Sequence, residues 1–381
     1  MANYDTSRES SQGWREVANP RHVSTVEKVI FLLGDLIIDQ ELGAESTKAT
    51  DLLSTGDLTL ANFEYVLGTT GHPAPKLFRL RSSTSTLEVL KRLNVKAVSL
   101  ANNHATDFGY SGLAETMRIL DDYGIAHAGV GDNLNEALKP AILNLGDFEI
   151  AFFACASDMP TDAIAMEDRP GLAPLRVDVQ INYEAKGHQE YVTLYPNIVT
   201  KPDQSDLDNL LKAVEKIKNQ VDFVVVSIHW GLSFQPMVLE YQMEIAHQLI
   251  DSGADIIMGH GPHVLHAIEL YRSKPIFYSL GHFVFHKPKE VSTLLEPMKR
   301  TFQDFGFRWR SDETAIGKVV LVGPKVARVE MIPAMIKNGD PVLCDNESAT
   351  PVLEYLKVLS RFLGTSLIAK DGKAIADRGL M

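Results

Sequence analysis

VDFVVVSIHWGLSFQPMVLEYQMEIAHQLIDSGADIIMGHGPH, residues 221–263, holds the plan of the fold in one stretch. Residues 221–228 form a short, almost wholly apolar run rich in Val, as a strand buried on both faces requires. Residues 238–252 space their apolar side chains at helical intervals, and 255–258 (DIIM) return to a short apolar run. Short buried strands alternating with longer amphipathic segments are the signature of an α/β layered fold. Outward from this stretch, the same reading predicts strands at 29–33, 57–61, 95–100, 148–154 and 275–280, and helices at 85–93, 111–123 and 206–218. The first strand, Val29 to Leu33, is expected to break at Gly34-Asp35, and the helix from Ser111 to stop at Gly124. Residues 157–200 carry Pro160, Pro170, Pro174 and Pro196 and read as an irregular surface excursion beside the site. Beyond residue 286 the pattern changes, to a β-hairpin over 316–333 turning at Gly323-Pro324 and a terminal helix over 349–362. The expected organisation is a flexible tail (1–25), one core domain (26–286) and an extension packing on that core (287–381).

Composition narrows the functional classes. The chain has 381 residues, 45% of them hydrophobic and 23% charged, which suits a globular protein with a sizeable core. A formal net charge of −12 argues against nucleic acid as a partner, because phosphate contacts need a basic face. With only Cys155 and Cys344, a disulfide framework and a Cys-rich zinc site are both excluded. The opening MANYDTSRESSQGWREVANPRH is polar and holds no apolar run of signal-peptide or anchor length, so the expectation is a cytoplasmic protein with no membrane segment. No glycine-rich phosphate loop of the Walker or dinucleotide type is present. The sequence leaves the oligomeric state open.

The chemistry gathers at strand ends. Gly34-Asp35, Asn62-Phe63-Glu64, Asn102-Asn103-His104, His229-Trp230-Gly231 and Gly259-His260-Gly261-Pro262-His263 each follow an expected strand. In open α/β sheets ligands bind beyond the carboxyl ends of strands, where loops converge. Five ends delivering carboxylate, amide and imidazole to one rim would form a mixed oxygen and nitrogen cluster suited to Mn, Fe or Zn, with Ca a further candidate. Taken singly, an Asp after a strand is more often a cap or turn residue, and a loop His is more often solvated or hydrogen-bonded. The coincidence at equivalent positions, and the glycines that let backbone approach a ligand at 259–263, favour the metal site. Cys155, Trp230, His247 and His266 read instead as core or structural residues.

SLANNHATDFGYSGLAET, SIHWGLSFQP, GADIIMGHGPHV and YSLGHFVF resemble the CapA family, named for capsule and poly-γ-glutamate synthesis, which in turn resembles the calcineurin-like metallophosphoesterases. The resemblance covers residues 29–285 and reaches into the tail through the proline-flanked hairpin and SRFLGTSL. It implies a four-layer αββα sandwich with a metal centre at the strand ends. By motif, Asp35, Glu64, Asn103, His229, His260 and His263 would be ligands, His104 the general acid or base, and Asp107 its orienting partner. Three positions depart from the pattern. Ile37 stands where the phosphoesterases place a His, so one site loses a ligand. Glu64 stands where they place a bridging Asp. His282 replaces the Asn of the family's usual GNFVF.

Three functions follow as expectations. The first is a metal-dependent hydrolase of a phosphoester or of a peptide or γ-glutamyl amide, with His104 protonating the leaving group. The second is a peptide Cα epimerase that uses the same metal and takes His282 as a second base opposite His104. The third is a non-catalytic component of poly-γ-glutamate or capsule synthesis.

Overall fold

Buried Val, Ile, Leu and Phe build two sheets whose strand order places the site. The computed structural model describes residues 27–186, 193–304 and 308–378; the expected tail at 1–25 lies outside them. In the larger sheet the strand Glu27–Ile37 runs parallel to Leu58–Phe63 and to His282–Phe285, and antiparallel to Glu313–Val322. Val95–Ser99 and then Ala126–Ala128 continue it in parallel, while Lys325–Lys337 and the hairpin Thr365–Lys370/Lys373–Arg378 extend its other side. The second sheet is ordered Ile268–Tyr271, Lys274–Phe277, Ile256–His260, Phe223–His229, Glu149–Ala156, Ala141–Asn144, with its four middle strands parallel.

Strand alternation decides what each face meets. Ile30 and Leu32 of the first strand share a core cluster with Phe152, Val225 and Met258 of the second sheet. Phe31 and Leu33, pointing the other way, pack with Leu53, Leu87, Leu90 and Ile119 from the helices Thr47–Ser54, Thr86–Arg92 and Gly109–Asp122. Val224, Val226 and Ile257 meet Leu207, Leu210, Ile245 and Leu249 of the helices Gln204–Lys218 and Glu240–Asp251. The two sheets therefore share one apolar cluster, and each packs helices against its other face.

Two expectations need correction. The first strand does not break at Gly34-Asp35 but runs to Ile37, because a parallel partner is waiting: the Asp35 N–H donates to Gly281 O at 3.0 Å. Residues 157–200 are not wholly irregular, since Val177–Lys186 and Thr193–Pro202 form a long antiparallel hairpin. The alternation of Val177, Val179 and Ile181 is a strand signal that the surrounding prolines obscure. The hairpin through Gly323-Pro324 and the helix Asn346–Arg361 stand where the sequence places them. The strands Glu313–Val322 and Lys325–Lys337 belong to the same sheet as the first strand. The helices Thr47–Ser54 and Lys289–Asp304 and the last hairpin were not foreseen.

Gly34 permits the close pairing of Asp35 with the strand that carries His282. A Cβ built on it would lie 1.8 Å from the Gly281 carbonyl oxygen, a backbone atom that can move only with its strand. Gly34→Ala should therefore destabilise the fold by about 1–3 kcal/mol or more, as overpacking does, read from urea denaturation. An unchanged midpoint would mean that the two strands do not approach as described.

Candidate metal centre

Strand register assembles the centre from segments far apart in sequence. Asp35 lies opposite Asn62 on one side and His282 on the other, while His229 lies opposite His260 in the second sheet. His229 and His260 are thus the last residues of their strands and Asp35 lies within its own, where the sequence reading placed all three just beyond strands. Asp35 Oδ1 accepts from Asn62 Nδ2 at 2.8 Å, and His260 Nδ1 lies 3.7 Å from it. Asp35 Oδ2 meets His263 Nδ1 at 3.0 Å, with His282 Nδ1 at 3.9 Å. His229 Nδ1 lies 3.0 Å from His260 Nδ1 and 3.6 Å from Glu64 Oε1. Two sets of donor atoms result, Asp35–His229–His260 and Asp35–His263–His282, each gathered within 4.8 Å.

Asp35, Glu64, His229, His260 and His282 are buried. Burial alone would raise the Asp35 carboxyl, but the His263 hydrogen bond and the facing imidazoles overcome it and hold the group well below the usual carboxylate range. Glu64 goes the other way, raised by burial and by the Asp35 charge beside it. Burial pushes His260 down to about 4, and it drives His229 and His282 well below the ordinary histidine value. Neutral imidazoles beside two buried carboxyl groups are what a cation requires of its ligands. Glu64 Oε2, Asn103 Oδ1, His229 Nε2 and both nitrogens of His282 are buried without a protein partner, so donor capacity is left over. The residues fit a divalent ion bound by oxygen and nitrogen.

The neighbouring backbone is bent to suit. Gly261 has φ +104, and a Cβ there would meet Trp230 O at 2.8 Å. His263 (φ +60) and Phe234 (φ +63) take left-handed conformations that cost non-glycine residues energy, and such strain clusters at functional sites. The Phe234 ring lies 5.6 Å from His263 and stacks on Trp309 at 5.1 Å.

His104 stands apart from both donor sets. Its Nδ1 is 2.7 Å from Asp107 Oδ2, which also accepts the Leu80 N–H at 2.7 Å. Lys76 Nζ pairs with Asp107 Oδ1 at 2.6 Å and donates to the Asn103 carbonyl. Asn102 braces the loop, its Nδ2 donating to Phe63 O at 2.8 Å and its Oδ1 accepting the His104 N–H at 3.0 Å. A cavity of about 380 Å³, lined in part by His72, Lys76, Thr106, Tyr110 and Asp162, adjoins this relay.

Residues 29–287 match the family described as Bacterial capsule synthesis protein PGA_cap. The chain belongs to that family. A capsule biosynthesis protein CapA of Bacillus anthracis is 27% identical over 74% of this chain and 60% of its own length. The PGA biosynthesis protein CapA of Bacillus subtilis is 29% identical, covering 56% of this chain and 48% of that protein. A probable polyglutamine synthesis accessory protein of Mycobacterium tuberculosis is 30% identical over 60% of this chain and 55% of its own. The matched stretch thus spans about half to three-fifths of these PGA_cap relatives. Among the described residues no helix is long and apolar enough to cross a membrane.

Of the residues singled out from sequence, Asp35, His229, His260, His263 and His282 meet in the two donor sets. Glu64 lies beside His229, Asn103 stands in neither set with its Oδ1 buried and without a hydrogen-bond partner, and His104 pairs with Asp107. Sequence reasoning missed three participants. Asn62 Nδ2 bridges Asp35 and Glu64 (2.9 Å to Glu64 Oε1), Ser227 Oγ holds His260 Nε2 at 2.8 Å, and Lys76 anchors Asp107. Only Asn62 had a visible signal, as the first residue of the Asn-Phe-Glu strand end. Cys155 is buried with its thiol pushed up by burial, and Trp230 donates to Tyr278 O, both as core residues.

His266 is a structural histidine, its Nε2–H donating to Gln235 O at 2.7 Å. Burial lowers it to about 4 from the model-compound 6.5. Its folded value lies below its unfolded one, so its stabilising effect is complete above about 6.5 and declines as pH falls toward 4. The full loss is about 3 kcal/mol. Urea midpoints measured from pH 7 to 4.5 should fall less steeply in His266→Leu than in wild type. Parallel curves would show that His266 is not held neutral.

Proposed function

We propose that this PGA_cap protein is a metal-dependent hydrolase whose centre rests on a four-layer αββα sandwich. The carrying observation is the buried Asp35, shared between two pairs of imidazoles with Glu64 alongside. Asp35, Glu64, Asn103, His229, His260 and His263 would hold the ion. When bound, a divalent ion supplies Lewis-acid polarisation of a carbonyl or phosphoryl oxygen and a more acidic water. The protein's part is positioning and proton transfer. Because Asp107 is acceptor-only toward the ring, His104 carries its proton on Nδ1 and keeps Nε2 for the substrate. Protonated, His104 can give that Nε2 proton to a leaving amine or alkoxide, and Asp107 with Lys76 keeps the ring aimed while it does so.

The names of the relatives concern capsule, PGA and polyglutamine synthesis, which supports a glutamate-containing amide as substrate ahead of a simple phosphoester. Hydrolysis is favoured over Cα epimerisation because His282 is stacked between His263 and Phe285, 1% exposed, and not opposite an open substrate face. In heavy water, hydrolysis yields new chain ends; deuterium at Cα without cleavage would overturn this choice.

Purified protein should contain Mn, Fe, Zn or Ca near stoichiometry, and His260→Ala/His263→Ala should lose most of it. Elemental analysis decides: full occupancy in the double variant removes the ligand assignment, and a metal-free wild type that still acts on no substrate would leave the non-catalytic reading. His104→Ala should keep its metal and thermal stability while turnover falls by ~10²–10⁴-fold, the usual contribution of a general acid. Asp107→Asn should cost less. Loss of stability in proportion to activity would make His104 structural instead.

A further inference from the structure

We propose that His282 is a metal ligand, and that it completes a second cation position next to the one held by His229 and His260. The proposal rests on the metal-centre reading above and goes beyond it in the number of ions and in the role of His282.

The two oxygens of Asp35 face different partners. Oδ1 is turned toward Asn62 and His260, with His229 in the same donor set. Oδ2 is turned toward His263 and His282, whose Nδ1 atoms lie 3.0 and 3.9 Å from it. Those two rings stack, with centroids 4.4 Å apart and planes 11° from parallel. A carboxylate presenting one oxygen to each of two imidazole pairs is arranged to bridge two ions.

The state of His282 itself excludes the blander roles. A structural buried histidine satisfies a ring nitrogen, as His266 does with Gln235 O and His286 with Asp340. His282 is the one buried histidine among the described residues with both nitrogens lacking a hydrogen-bond partner. Leaving such groups unpaired in the interior is costly, and a bound ion offsets that cost. Ile37, two residues beyond Asp35 on the same strand, is apolar, packed in the core and offers no donor. His282 reaches the same carboxylate from the opposite strand, where its Cα is the register partner of Asp35 itself. Imidazole nitrogen and carboxylate oxygen donors select Mn, Fe or Zn over alkali ions.

The test counts ions. Wild-type protein stripped by chelator and titrated with Mn²⁺ should take up two ions per chain, with an exchange-coupled EPR signal. His282→Leu and His282→Ala should take up one, show the signal of an isolated ion, and bind the other more than roughly 100-fold more weakly, since even outer-shell changes cost 10–100-fold. If both variants misfold by circular dichroism, pulsed EPR of wild type carrying ¹⁵N-histidine replaces them, and couplings from His229, His260, His263 and His282 are expected. Two ions in a folded variant, one ion in wild type, or absence of the fourth imidazole coupling would overturn the second position. No ion at all in wild type would instead overturn the metal-centre reading beneath it.

Discussion

A carboxylate taken out of water must be compensated by charge and hydrogen bonds or lose its proton, because an uncompensated buried charge is prohibitively costly. Asp35 is such a group, fully enclosed in the sheet yet held ionised. Its surroundings follow from that requirement. Asn62 is placed opposite to donate, His263 is bent through a left-handed conformation to reach Oδ2, and a third strand is drawn close enough for the Asp35 N–H to bond Gly281. Glu64 cannot be ionised beside Asp35 on the same terms, and its raised value marks the charge the site still lacks. Two carboxyl groups bridged by a single amide make a poor interior for a protein alone and a good one for a cation.

The second sheet contributes its imidazoles with their orientation already set. Ser227, two residues before His229 on the same strand, bonds His260 Nε2, which leaves His260 Nδ1 facing His229 and Asp35. Which nitrogen of a histidine is available is decided by what holds the other one. The Phe223–His229 and Ile256–His260 strands are in parallel register, so the two rings arrive side by side without any loop having to fold correctly. Placing ligands on strands gives a precision that loops cannot match.

The alternating strands and helices were readable because burial on both faces writes a Val- and Ile-rich run, and packing on one face writes a 3.6-residue period. The five polar strand ends were readable for the same reason, since each interrupts an apolar run at its carboxyl end. What the linear pattern does not hold is pairing between strands. Asp35 lies opposite His282 across 247 positions of chain, and only sheet register reveals it. His282 therefore read as a residue near the site, and Asn62 as the opening of a triplet whose Glu64 drew the attention. The strand pair Val177–Lys186 and Thr193–Pro202 was lost for a different reason: prolines surround its alternation, and its apolar residues Val179 and Ile181 lie exposed and build no core. The helix Lys289–Asp304 carries Pro297 in its interior, which weighs against a helix from local propensity alone.

Proton transfer and ion binding place opposite demands on a side chain, and under the proposed function the chain separates them. Ligands gain from rigidity, and the donor sets sit largely on buried strands. An acid or base must meet its substrate, and His104 is placed on the loop after Val95–Ser99, outside both donor sets. Asp107 joins the His104 loop to a second segment of chain. It accepts from His104, from Lys76 and from the Leu80 backbone, so one carboxylate ties the His104 loop to the segment 74–80, whose Leu77 is 76% exposed. Lys76 also holds the Asn103 carbonyl, one residue from His104. A displacement of that exposed segment would reach His104 and the Asn103 backbone together through Lys76 and Asp107, while Asp35, His229 and His260 stay fixed by their strands.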